Sequence, residues 1–105
     1  MKNFISTGDI ITVTAPYDVA SGAGVLVGAI FGFAVTSAKS GEQVNIKRSG
    51  VFDHAKTSAQ AWTEGVALYW DNTNKVLTTT ASGNTLVGAA AAVAANPSAT
   101  GRVVI

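Results

Sequence analysis

The chain has 105 residues, 48% of them hydrophobic and only 12% charged, with a net charge of +1 and no cysteine. That length accommodates one domain, and the apolar content excludes the disordered class, which is poor in apolar residues and rich in charge. The missing cysteines exclude a disulfide framework and a thiolate metal site. The single adjacent basic pair, Lys47-Arg48, falls short of the several phosphate contacts that sequence-independent nucleic-acid binding uses.

The charged share is half of the usual value of about 25%. Two readings of so uncharged a surface stand: neighbours cover much of it, or Thr, Ser and Asn keep the protein in solution. A domain of this size buries only about two-thirds of its unfolded surface, and oligomerisation is a common remedy.

The first residues, Met1 to Asp9, lack the apolar core of a signal peptide. Ala23 to Val35 and Leu86 to Ala95 are apolar, yet neither approaches the ~20 residues that cross a bilayer. The expectation is a soluble protein with no membrane partner, organised as a short arm over residues 1–8 and one domain over 9–105.

Asp9 to Ala15 (D-I-I-T-V-T-A) alternates, with Ile11, Val13 and Ala15 on one face and Thr12 and Thr14 on the other, which predicts a half-buried strand. Gly24 to Gly28 and Ile30 to Val35 are apolar runs cut by glycine. Each interior glycine costs a helix about 1 kcal/mol against alanine, so both read as buried strands, with Gly28 at a bulge or sharp bend between them. Glu42 to Arg48 alternates again and Val51 to Asp53 is a short strand. His54 to Trp62, rich in alanine, is the best candidate for a helical turn, centred near 55–61.

Val66 to Trp70 and Lys75 to Thr80 flank Asp71-Asn72-Thr73-Asn74, which is a hairpin signature. Thr85 to Val93 contains the run Ala89 to Ala92, whose propensity favours helix. Gly88 precedes the run and no charge lies between Lys75 and Arg102 to form a solvated helix face, so a strand is expected. Gly101 to Ile105 is the last strand. Eight or nine short strands with turns every 8–12 residues predict an all-β domain, a small compact barrel or sandwich.

No residue set points to catalysis. The only histidine, His54, follows Asp53 and lies near Ser49 and Ser58, but neighbours on a strand point to opposite faces, and a hydrolase triad also needs an oxyanion hole. No G-x-S-x-G elbow occurs. The carboxylates are spread along the chain without a calcium-loop pattern, and Asp71 to Asn74 reads as a turn. No Gly-Lys pair exists, so the phosphate loop G-x-x-x-x-G-K-[ST] is absent. Neither a cofactor nor a metal is expected. The aromatics Trp62, Tyr69 and Trp70 leave one rival reading, a carbohydrate-binding module with an exposed stacking platform. Phe31 and Phe33 read as core.

Gly8 to Pro16, Ser21 to Gly28, Ile30-Phe31-Gly32, Gly50-Val51-Phe52, Ala61 to Gly65, Leu68 to Asp71, Thr78-Thr79-Thr80 and Gly101 to Val104 together resemble the small phage proteins known as capsid cement or head decoration proteins. The order and spacing of these stretches, nearly end to end, carry the resemblance. Such sequences sometimes bear a recombinase label, which the missing nucleotide loop does not support.

The resemblance implies a structural virion protein with no enzymatic activity. It would be made in the bacterial host cytoplasm and bound to the major capsid protein on the outside of the head. By analogy with other decoration proteins, it implies a homotrimer. Lys2, Asn3, Phe4 and Ile5 are the expected capsid-contact residues, since an extended arm ahead of the first strand can add to an exposed sheet edge. The competing reading of residues 1–8 is a terminal strand folded onto its own domain.

Overall fold

The computed structural model describes Asn3 and residues 8–105. Among these residues there is no helix, and the alternating segments form nine strands: β1 (Ile10–Thr14), β2 (Gly24–Val27), β3 (Ile30–Ala34), β4 (Gln43–Lys47), β5 (Val51–Ala55), β6 (Ala67–Asp71), β7 (Val76–Thr78), β8 (Thr85–Ala90) and β9 (Thr100–Val104). They assemble into two antiparallel sheets, ordered β1-β4-β3-β2 and β5-β9-β8-β6-β7. The architecture is a sandwich. A single parallel bridge between Lys56 and Leu77 brings the two outer strands of the larger sheet together at one end, without closing a barrel.

The hairpin β2–β3 explains why glycine stands at position 28. Val27 faces Ile30 across a two-residue turn, and Gly28 takes φ of 59° at its first position, as a type II′ turn requires. Strand β3 is buried on both faces. Phe31 and Phe33 point to the larger sheet and join Trp62, Leu68, Trp70, Leu77 and Val103 in one hydrophobic cluster. Ala34 points the other way, into a second cluster with Val25, Val44 and Ile46, which is closed over by Ala15 and Val19. The larger sheet therefore covers the β2–β3 half of the smaller one. The β1–β4 half shows Thr12, Thr14, Gln43 and Asn45 to solvent.

Both tryptophans are seated on glycine. A Cβ on Gly24 would enter the ring of Trp70, and one on Gly101 the ring of Trp62. Trp70 thus packs directly against the backbone of β2 at Gly24 and joins the two sheets. Its ring also packs on Phe31, with centroids 5.1 Å apart, and its Nε1 donates to Asn72 Oδ1 at 3.0 Å.

The stretch 54–62 departs from the helical expectation. His54 and Ala55 complete β5, Lys56 forms the bridge to Leu77, and Trp62 bridges Ala94. A single turn closes between them, Gln60 N donating to Thr57 O at 3.3 Å. The cause is tertiary: Phe52 and His54 alternate inward onto Phe33, and that packing overrides the local propensity of the alanines. Ala89 and Ala90 lie in strand β8. There they pair with Val104 and Val103.

Candidate docking surface

The histidine and the carboxylates singled out from the sequence serve packing, an ion pair and turns. His54 stacks against Phe33 and edge-on to Trp70, each with centroids 5.3 Å away, and its Nδ1 lies 3.1 Å from Ala55 O. Asp53, on the opposite face as strand geometry demands, is ion-paired to Arg102 Nε at 3.1 Å. The two side chains are not brought together. Asp71 accepts the backbone N–H groups of Thr73 (2.9 Å) and Asn74 (3.1 Å), which is the turn role expected of it. The Asn74 side chain is the main cause of a carboxyl pKa lowered below its ordinary value. In one shallow depression, Asp18 accepts from Ser40 N and Glu42 from Lys39 N. Both carboxylates serve their own loops. Among the described residues no group of three His, Asp or Glu side chains is placed to hold a metal ion.

The two tryptophans of the carbohydrate reading lie in the core. Trp62 and Trp70 are each 1% exposed, because each fills the space above a glycine in the core. Neither presents a face to a sugar.

Two surfaces remain open to a macromolecular neighbour. The first is the outer face of the larger sheet. In register across four strands stand Val51, Val104, Ala89 and Ala67, each followed or preceded by an inward residue of the core. Next to this row Leu86 faces Tyr69. Val51 and Leu86 are 59% and 62% exposed. The six side chains carry no charge, and the nearest ion pair is Asp53–Arg102 at one side.

The second surface is the outer edge of β1, which pairs with no other strand among the described residues. Ala15 N donates to Glu42 O and Arg48 N to Asp9 O, both at 2.8 Å. By the alternation of an antiparallel ladder, Ile11 and Val13 bond to β4. The N–H and C=O groups of Ile10, Thr12 and Thr14 therefore point away from the sheet. Ile10 is 50% exposed. Just before the strand, Asp9 is held by Lys47 Nζ at 2.7 Å and by Ser49 Oγ, which lowers its pKa below the ordinary carboxylate value.

The far edge of the same sheet is closed. Tyr17 Oη donates to Gly24 O at 2.7 Å and accepts from Leu26 N at 3.4 Å, occupying two of the outward groups of β2 and laying its ring along that edge. Burial raises the Tyr17 pKa above 10.0, so the hydroxyl keeps its proton at neutral pH. Lys75, the one non-glycine residue with positive φ (57°) among those described, places its Nζ 4.0 Å from the Tyr17 ring centroid. This ties the β6–β7 hairpin to that edge.

Of the expected capsid-contact residues, Lys2, Phe4 and Ile5 lie outside the described residues. Asn3 is described and exposed. Sequence reasoning missed Lys56, which is 4% exposed. Its ammonium donates to Thr57 O at 2.9 Å, to Gln60 O and, weakly, to Ser98 O at 3.4 Å. Burial lowers its pKa below 10.5. Alternation from Phe52 through His54 to position 56 was the available signal for an inward side chain.

A search of curated proteins and a search of solved structures gave no match. A family model described as phage cement protein matches residues 5–105. With essentially the whole length matched, an all-β sandwich and no assembled catalytic group among the described residues, the chain belongs to the phage cement protein family, a structural component of the phage capsid.

Proposed function

We propose that this protein binds the outer surface of the major capsid lattice and stabilises the phage head. The observation that carries the reading is the match to the cement family over residues 5–105. The surface chemistry supports it: 12% charged residues overall and an uncharged row across the larger sheet suit a protein that spends its working life against neighbours. Assembly is as a homotrimer, with the row Val51–Val104–Ala89–Ala67 and the adjoining Leu86 and Tyr69 forming one side of the contact between copies. Many weak contacts repeated over a lattice then stiffen the shell by multivalency rather than by high affinity at one site.

The arm, residues 1–8, adds a further contact through Lys2, Asn3, Phe4 and Ile5. Deleting residues 1–7 tests this contact. Binding to heads is expected to be lost while the melting temperature of the domain stays unchanged. Undiminished binding refutes the arm's role. The protein is made in the bacterial host cytoplasm and joins the head after the shell presents its lattice. Measured on the heads themselves, added protein is expected to raise the temperature at which they rupture. A rupture temperature indifferent to the protein contradicts a stabilising role.

A further inference from the structure

We propose that β1 is the capsid-binding edge: its free side accepts an extended, uncharged strand of the major capsid protein as a fifth strand of the smaller sheet. The inference rests on the cement reading and adds to it the mode of attachment and the residues that carry it.

The four outer strands of the two sheets are not equivalent. Strand β2 is capped by the Tyr17 hydroxyl. Strand β7 has its edge occupied where Thr57 N donates to Leu77 O at 2.9 Å. Strand β5 leaves Val51, Asp53 and Ala55 outside its ladder with β9, but it carries the Asp53–Arg102 ion pair and runs directly into the bridge with β7. Charge and obstruction of this kind are what keep edges from pairing. Strand β1 has neither. It pairs with β4 at five consecutive positions without a bulge. It holds no charged residue and no proline from Ile10 to Thr14, and no described strand pairs with its outer side. Three N–H and three C=O groups, those of Ile10, Thr12 and Thr14, are aimed outward and unused by any backbone bond among the described residues.

The size of this edge argues for the shell rather than a second copy as the occupant. Five residues span about 17 Å, and one strand pair of that length contacts far less than the ~1,200 Å² at which stable interfaces between two proteins begin. A pair of copies joined only at β1 would come apart in solution. On a lattice, where the copies are held side by side, the same modest contact is repeated and holds. Main-chain hydrogen bonds supply the attachment, and the exposed Ile10 side chain supplies an apolar anchor.

The test uses Thr12→Pro and Thr12→Val in the full chain, with heads that lack the protein. Proline at position 12 removes an outward N–H and places its ring where the incoming strand must lie, yet takes no bond from the β1–β4 ladder. Valine removes only the hydroxyl, which donates to Asn45 Oδ1 at 2.6 Å. Wild type and Thr12→Val are expected to half-saturate heads at similar concentrations. Thr12→Pro should need at least about tenfold more, given the bonds at stake, while its melting temperature stays close to that of wild type. If Thr12→Pro unfolds early, Thr14→Pro poses the same question nearer the strand end. Thr12→Pro binding as well as wild type overturns the edge proposal and leaves the cement reading standing. Wild type failing to bind its own heads overturns the cement reading itself. A wild-type dimer in free solution that Thr12→Pro dissociates overturns the shell as occupant and assigns the edge to a second copy.

Discussion

Replacing Lys56 with methionine is the sharpest probe of how the larger sheet is held together. The substitution keeps the length and apolar stem of the side chain and removes only the ammonium. Three carbonyl oxygens, of Thr57, Gln60 and Ser98, then lose their donor, in a site only 4% exposed. The bond to Thr57 O is of ordinary length, 2.9 Å, and the one to Ser98 O, at 3.4 Å, is weak. Leaving a buried acceptor without its partner costs about 1–3 kcal/mol. Two such losses, reduced by the desolvation that the cation no longer suffers, come to roughly 2–4 kcal/mol. That is a large part of the ~5–15 kcal/mol that holds a domain of this kind together. Urea denaturation followed by tryptophan fluorescence measures it as a drop in midpoint at unchanged slope. Lys56→Gln, which keeps a shorter neutral donor, should fall between the two.

The same residue sets a pH signature. Burial lowers the Lys56 pKa below 10.5, so between the folded and unfolded values the unfolded chain binds more protons. Stability from this group alone therefore rises with pH across that window, and Lys56→Met removes the slope. A Lys56→Met protein within about 0.5 kcal/mol of wild type would falsify the view that the caged ammonium clamps the 57–60 turn to the 96–98 loop.

Gly24→Ala and Gly101→Ala drive a methyl into the rings of Trp70 and Trp62; each is expected to cost about 1–3 kcal/mol and to shift tryptophan emission, and a neutral effect on both would contradict the packing described. Asp9, whose pKa is lowered chiefly by its hydrogen bond to Lys47, contributes stability that is present above pH 3.8 and lost as pH falls through its lower folded value. Asp9→Asn should therefore flatten the acid side of the stability profile below pH 3.8, and an unaltered profile counts against the Asp9–Lys47–Ser49 cluster. Leu86→Asp, at a site 62% exposed, should leave the melting temperature within a few degrees and abolish the proposed trimer in sedimentation; a wild type that sediments as a trimer with the variant unchanged removes the uncharged row from the contact between copies.

Much of this fold is legible in the sequence because most strands are half-buried and so alternate. Ile11 and Val13 against Thr12 and Thr14, or Val44 and Ile46 against Asn45 and Lys47, declare both the strand and its inner face. The Asp71–Asn74 turn is legible because an aspartate at its start accepts the backbone N–H groups that follow, here those of Thr73 and Asn74. Ala89 and Ala90 could be placed in a strand by the lack of any charged face, against their helical propensity.

The illegible parts depend on distant residues. Nothing local says that Tyr17 reaches the edge of β2 or that the alanine-rich stretch after Phe52 runs as strand and then a single turn instead of a helix. Nor does anything local say that both tryptophans sink onto glycines 46 and 39 positions away. A tryptophan that looks available for stacking in sequence becomes core only when its glycine partner is known. The same holds for the docking surfaces. The uncharged residues were visible as composition, but the row they form needs the strand order β5-β9-β8-β6. The open edge needs the hydrogen-bond phase of β1 against β4.

The central claim, that the protein is a cement bound to the capsid lattice, is tested most directly by co-sedimenting the purified chain with expanded heads that lack it and counting the copies bound. Binding is expected to saturate at a fixed number of copies set by the symmetry of the lattice. Binding that never saturates, or no binding to the cognate heads, would contradict it.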